Sequence, residues 1–200
     1  MKIFLVASLI VIGLIIVFQI YIAMATNKTN TQPYKVIRKE KDFEIRLYPA
    51  VTMATIKSSA KTYRELSGSG FRKLAGYIFG GNATNEKIAM TAPVHMDIND
   101  SSSSMSFVMP ENYNEKNLPR PNDANVIIKT TTDETVAVIQ FGGFASDKVI
   151  KYYAAKLRTQ LKLYSISYNG NFRYLGYNPP YQLFGRKNEV IVNVSWDGMK

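Results

Sequence analysis

Residues 85–96, NEKIAMTAPVHM, hold the only histidine of the 200-residue chain and a proline inside what otherwise reads as a β-strand. Strict alternation puts Thr91, Pro93 and His95 on one face and Val94 and Met96 on the other. If Val94 and Met96 face the core, His95 points away from it. The proline requires an edge, a bulge or a break at that point.

Working outward, the same order of elements occurs twice. In the first half, residues 43–57 (FEIRLYPAVTMATIK) alternate and are rich in β-formers, with Pro49 at an interruption. Residues 62–82 follow as a helix, with Tyr63, Leu66, Phe71, Leu74 and Ile78 on one face, glycines 68 and 70 weakening its middle and a Gly-Gly-Asn stop. The 85–96 stretch and residues 105–110 (MSFVMP) are the next strands, joined by an exposed loop at 99–104. A polar loop, 111–124, leads to the second half: a strand, a turn at Asp133 and a strand over 125–143, then a helix over 146–165 capped by Ser146. Residues 172–184 read as a strand carrying Pro179 and Pro180, and residues 188–196 as the last strand. Thr91-Ala92-Pro93 and Asn178-Pro179-Pro180 fall at matching places by spacing, which pairs Pro93 with Pro180. The order predicts an α+β domain of two β-α-β-β units forming one mixed sheet structure, with pseudo-repeats at about 34–110 and 125–197.

The N-terminus is different in kind. Residues 3–25 contain no charge, and Gln19 is their one strongly polar side chain. About 20 apolar residues cross the ~30 Å hydrocarbon core of a bilayer. Two readings stand for residues 1–25: an uncleaved membrane anchor, or a signal peptide cut after the small-x-small pattern Ala23-Met24-Ala25. Both put the remaining domain outside the cytoplasm if the basic N-terminus stays inside. Residues 26–33 (TNKTNTQP) read as a polar linker, and the domain, residues 34–200, starts near Tyr34.

Residues 1–25 carry one Lys and no acid, so the rest has a net charge of +9. Its basic residues are scattered, with no Lys/Arg run and no nucleic-acid-binding signature, so anionic small molecules or lipid head groups suit the field better than nucleic acid. The chain has no cysteine, which excludes disulfides, thiolate-held metals and thiol catalysis. No nucleophile elbow, phosphate-binding loop or paired-carboxylate pattern occurs, which argues against a self-contained hydrolase or transferase site. Five methionines in the first half (53, 90, 96, 105, 109) fit core filling or an adaptable groove. His95 is a candidate axial ligand for haem iron, for which one histidine is enough, against an ordinary hydrogen-bonded strand role. The helix over 62–82 sets Phe71, Leu74 and Ile78 beside Arg64, Arg72 and Lys73. An apolar surface rimmed by cations suits a flat ligand bearing carboxylates; the plainer alternative is a solvated helix face.

The motifs FEIRLYPA followed by MATI, FRKLAGYIFGGN, KIAMTAPV, FVMP, LPRPND, VAVIQFGG, LGYNPP and GRKNEV together resemble the SOUL haem-binding family over about residues 34–195. I-x-M-T-x-P-V, Y-N-P-P and R-x-N-E-V at these intervals are the most specific. The resemblance implies a distorted β-barrel of two β-α-β-β repeats with two helices packed on it, similar to effector-binding domains of some bacterial regulators. It implies binding of haem or other tetrapyrroles through an apolar groove on the first helix, with cations for the propionates and no required axial histidine. Carried over, the groove falls on Phe71, Leu74, Tyr77 and Ile78, and the propionate partners are Arg64, Arg72, Lys73 and Arg186. The function implied is non-enzymatic capture, buffering or transfer of haem by an exported or membrane-tethered domain. Removal of metal from a bound tetrapyrrole, or an effector or protein-interaction role without haem, are the alternatives. The N-terminal apolar segment, residues 3–25, departs from the family's soluble members.

Overall fold

The computed structural model describes residues 2–99 and 102–196. After an N-terminal helix α1 (Lys2–Asn27), the chain forms β1 (Lys35–Lys39), β2 (Glu44–Tyr48), β3 (Thr52–Ser58), α2 (Tyr63–Ile78), β4 (Val94–Asp97) and β5 (Ser103–Val108). Then follow β6 (Ile127–Thr130), β7 (Glu134–Phe141), α3 (Asp147–Leu163), β8 (Tyr168–Gly176) and β9 (Asn188–Val194). The fold is α+β: all nine strands form one antiparallel sheet in the order β1-β2-β7-β9-β8-β4-β5-β3-β6. The sheet is not closed, which is consistent with the distorted barrel that the resemblance implied.

That order is symmetric about the β8–β4 pair. β9 and β5 flank it, then β7 and β3, then β2 and β6. Each half therefore contributes the same β-α-β-β unit. The strand that opens each half is exchanged, however: β2 pairs with β7, and β6 pairs with β3. Residues 43–57 and 125–143 are accordingly not hairpins, although each holds two strands.

The two helices lie on one face. Thr62 caps α2 by accepting from the Glu65 N–H, and Ser146 caps α3 by accepting from Val149 N–H at 3.3 Å. The Asp147 carboxylate also accepts the Tyr63 N–H at 2.6 Å, so the start of α3 satisfies an orphan donor at the start of α2. Hydrogen bonding runs unbroken through glycines 68 and 70. Gly70 is a contact point: a Cβ there would lie 3.1 Å from Ile56 and 3.2 Å from Met105, so those two side-chain ends would have to give by a few tenths of an ångström to admit one. Leu66, Leu74 and Ile78 of α2, which packs on β3 and β5, and Leu157 and Leu161 of α3, which packs on β7, β8 and β9, are fully buried in the main core.

Several sequence expectations need correction. Of the 85–96 stretch only Val94, His95 and Met96 are strand, the start of β4. The rest is a set of ties: Ile88 enters the core, with its N–H on Ile78 C=O; Thr91 Oγ1 donates to Val108 C=O; and Ala92 bridges to Thr31. Pro93 precedes β4, whereas Pro179 and Pro180 follow β8, so the two prolines are not equivalent positions. The 172–184 stretch is the end of a strand and a loop, not one strand. In the 99–104 loop, Ser103 and Ser104 belong to β5, and residues 100 and 101 lie outside the described residues. β1, which no periodicity announced, adds an edge strand. Residues 28–33 are not a free linker: Gln32 N–H donates to Ala92 C=O, Ala92 N–H donates to Asn30 C=O, and Gln32 is buried.

Candidate functional site

The buried stripe of α2 runs Leu66, Gly70, Leu74, Ala75, Tyr77, Ile78, at the spacing of one helical face. Leu74, Tyr77 and Ile78 are thus core residues, each 2% exposed or less, and do not line an open groove. The periodicity that marked them as a ligand surface is the same periodicity that buries a helix on a sheet. The Tyr77 hydroxyl reaches through to donate to Pro119 C=O at 3.0 Å, tying α2 to the 111–124 loop. Phe71 alone of the four is half-buried, edge-on to Phe107 with ring centres 5.3 Å apart.

Beyond the helix, Gly80 has a φ of +110°, and a Cβ on Gly81 would lie 2.5 Å from Gly76 C=O. Only glycines permit this turn. It brings buried Asn82 beneath the helix end, where its amide donates to the Tyr77 and Glu86 carbonyls and its oxygen accepts from Thr84 Oγ1 and Glu86 N–H. The FGGN motif is therefore a structural stop that ends the helix.

The outer face of α2 carries Arg64, Gly68, Arg72 and Gly76 at successive i+4 spacings, with Lys73 beside them, all exposed. No ion pair involves Arg64, Arg72 or Lys73 among the described residues. Nothing lies within 4 Å of where a Cβ would stand on Gly68 or Gly76. The face is a strip of bare backbone between cations, approachable by a flat molecule.

Arg186 is elsewhere. Its Nη1 donates to Pro179 C=O (2.7 Å) and Gln182 C=O (2.8 Å), and its guanidinium lies over Phe144 at 4.5 Å. It pins the loop at 178–185 and does not join Arg64, Arg72 and Lys73.

His95 faces away from Val94 and Met96, as alternation required, yet it is buried. It pairs with Leu175 on the sheet face opposite the helices, where Tyr48, Val136, Val138, Leu175 and Ile191 form a second apolar cluster. Its Nε2–H donates to Gln32 Oε1 at 2.7 Å. Burial, with Arg173 adding to it, pushes the imidazole pKa down to about 3. A ring that is covered and bonded through Nε2 to Gln32 is not placed to ligate iron. The same face holds Glu189, fully buried, with Arg46 Nη1 at 3.0 Å, Lys187 Nζ at 3.2 Å and the Tyr177 hydroxyl donating at 2.7 Å. Burial opposes the Arg46 charge, but Glu189, Tyr48 and Glu44 outweigh it and raise its pKa. This is an ionic cluster around a fully buried carboxylate, with the partly exposed Lys187 and Glu44 at its rim.

Two concavities lie off the helix face. One, of about 500 Å³, is walled by Ala83, Arg120, Asn122 and Asp123; the other, of about 1040 Å³, lies between the 27–33 segment and Pro49, Thr91, Met109 and Tyr113. The larger offers a single cation, Lys28, opposite Glu111. Neither is lined by α2. No group of three or more metal-ligating side chains occurs among the described residues.

The doubled β-α-β-β order is the one the motifs implied. The SOUL heme-binding protein model matches residues 29–193, and the chain belongs to that family. It is 31% identical over 172 residues to Heme-binding protein 1 of Xenopus laevis, covering 80% of this chain and 90% of that protein. It is 33% identical over 157 residues to Heme-binding protein 2 of Mus musculus, covering 74% and 76%. Among solved structures, the EcmrR C-terminal domain superposes with a TM-score of 0.60 at 10% identity, over 81% of this chain and 98% of that one. An uncharacterized conserved protein from Listeria innocua gives 0.54 at 9%, over 78% and 93%. These two likenesses concern the fold alone.

Proposed function

We propose that the chain is a membrane-tethered haem-binding protein that acts by holding its ligand, for capture, buffering or transfer, and that α1 is retained as its anchor. Family membership supports the ligand class. The observation that carries the site is the outer face of α2, where Arg64, Arg72 and Lys73 stand exposed and unpaired beside bare backbone. Arg64, Arg72 and Lys73 would hold the propionates, and Phe71 with the strip at Gly68 and Gly76 would meet the ring. Other tetrapyrroles with two carboxylates suit the same residues. The fit is to a surface-held macrocycle without histidine ligation, since His95 is covered and bonded to Gln32.

Retention of α1 is supported by its last turns. Gln19, Ile22, Ala23 and Thr26 face the domain at helical spacing, and Gln19 and Thr26 hydrogen-bond to it. The rest of the helix is apolar and exposed, long enough to cross a bilayer. With the basic N-terminus inside, the domain lies outside the cytoplasm.

Titration of haem into the full chain in lipid nanodiscs tests the site. A saturable Soret shift is expected, and Arg64→Glu with Arg72→Glu should weaken it about tenfold or more, the loss of at least one charge-assisted contact. A folded protein with no shift at micromolar haem would sink the ligand; an unchanged affinity in the double variant would move the site off α2.

A further inference from the structure

Gln19 is a polar side chain in an otherwise apolar helix, and its partners lie 162 and 164 positions away in sequence. Its Nε2 donates to Tyr181 C=O at 3.1 Å and its Oε1 accepts from Leu183 N–H at 2.8 Å. Thr26 Oγ1 donates to Gln182 Oε1 at 2.8 Å, about two helical turns further on, and the Phe18 and Tyr181 rings lie 6.5 Å apart. The loop following β8 is thus laid along the last turns of α1. Gln182 is buried and turns its amide to Phe184 C=O, while Arg186 holds Pro179 and Gln182 from behind. The loop is held from both sides.

What it presents outward is unusual. Residues 177–185, YNPPYQLFG, carry no charge. Tyr181 is 58% exposed, Leu183 46% and Phe184 73%, although hydrophobic residues of this size elsewhere in the domain are mostly covered. Arg186 and Lys187 follow at once.

Length decides where this patch sits. The part of α1 with every residue exposed is 3–18, and at ~1.5 Å per residue it spans about 24 Å. A hydrocarbon core of ~30 Å takes about 20 residues, which extends the buried segment to about residue 22. Gln19 and Ile22 therefore lie within the bilayer's edge, and whatever is bonded to Gln19 lies at that depth too. A bare glutamine amide there would be costly; the loop backbone satisfies both its ends, and the loop in turn exposes only apolar and aromatic side chains. Tyr and Phe at this level, with cations just behind, match the composition of a membrane interface.

We propose that the 178–185 loop is a second membrane contact, seating Tyr181, Leu183 and Phe184 in the lipid at the acyl–headgroup boundary beside α1 and fixing the domain's orientation on the bilayer. This rests on α1 spanning the membrane, as proposed above. The occupant is lipid because the patch is continuous with the exposed apolar surface of α1 and at the same depth.

The absence of native cysteine allows clean single-site labelling of the full chain in liposomes of phosphatidylcholine and phosphatidylglycerol. Nitroxides at Phe184→Cys, at Ile10→Cys in α1 and at Ser69→Cys on the outer face of α2 are compared by their accessibility to oxygen, which partitions into lipid, and to a water-soluble nickel chelate. Ile10 and Phe184 labels favouring oxygen, with Ser69 favouring nickel, is the expected result; Leu183→Cys should repeat it. A nickel-accessible label at 184 beside an oxygen-accessible one at 10 would overturn the loop contact and leave the anchor standing. A label at 184 shielded from both agents would mean a protein partner covers the patch, and would also overturn it. A nickel-accessible label at 10 would overturn the anchor and the loop contact together.

Discussion

On one face of the sheet, α2 and α3 bury Leu74, Ile78, Leu157 and Leu161 in one apolar core; on the other, Arg46, Glu189 and Tyr177 bond to one another, and His95 bonds to Gln32, around five apolar residues. The first face is held by area removed from water, which is indifferent to pH. The second is held by pairs whose members are costly to leave alone. A residue's importance is therefore read differently on the two sides: by its volume under the helices, and by its partner opposite them.

The largest expected effect breaks the polar face. Glu189→Ala leaves Arg46 buried without its main counter-charge and should cost about 3–5 kcal/mol in urea unfolding. Leu74→Ala, under the helices, should cost about 2–5 kcal/mol by loss of burial and a cavity, with the same value at pH 7.5 and pH 5. A Leu74→Ala cost that changed with pH would dissolve the distinction.

Acid separates the faces more finely. The folded-state pKa of His95 is about 3, below the ordinary value of 6.5. Between these values the unfolded chain binds a proton that the folded chain does not. Stability from this residue is complete above about pH 6.5 and is lost as pH falls towards 3, at up to about 1.4 kcal/mol per pH unit. Stability measured from pH 7 to 4 should flatten in His95→Gln relative to the parent; parallel curves would show that His95 is not a buried neutral base. Gln32→Ala removes the imidazole's partner and should cost about 1–3 kcal/mol in the same assay. The smallest effect is on ligand: His95→Ala should leave haem affinity within a few-fold, and a loss of about 1.4 kcal/mol, tenfold, would return it to the iron.

Much of the helix-covered face could be read from the chain. The stripe through Leu66, Leu74 and Ile78, the caps at Thr62 and Ser146 and the doubled strand–helix–strand–strand order are all local patterns. The polar face could not, because its pairs join distant residues: Arg46 meets Glu189 143 positions away, and His95 meets Gln32 across 63. Gln32 lay in a polar stretch with every mark of a linker. β1 is five residues, mostly exposed and without alternation in burial, so no periodicity marked it. The site residues divide in the same way. Arg64, Arg72 and Lys73 are where a helical wheel puts them, whereas Leu74, Tyr77 and Ile78 cannot be told from core by spacing, since an apolar helix face reads alike against a sheet or a ligand.

The exchange of β2 and β6 makes the molecule indivisible. The polypeptide has two copies of one plan but no seam at which it could be cut into two modules. A fragment ending in the 111–124 loop would keep β2 without β7, β3 without β6 and β4 without β8, leaving three open edges where the intact chain has pairs. Two such fragments could close each other's edges, by the same trade that the single chain makes with itself. For the intact protein the trade also delays completion. β2 waits for a strand roughly ninety positions later, and sheets closed over such separations form slowly.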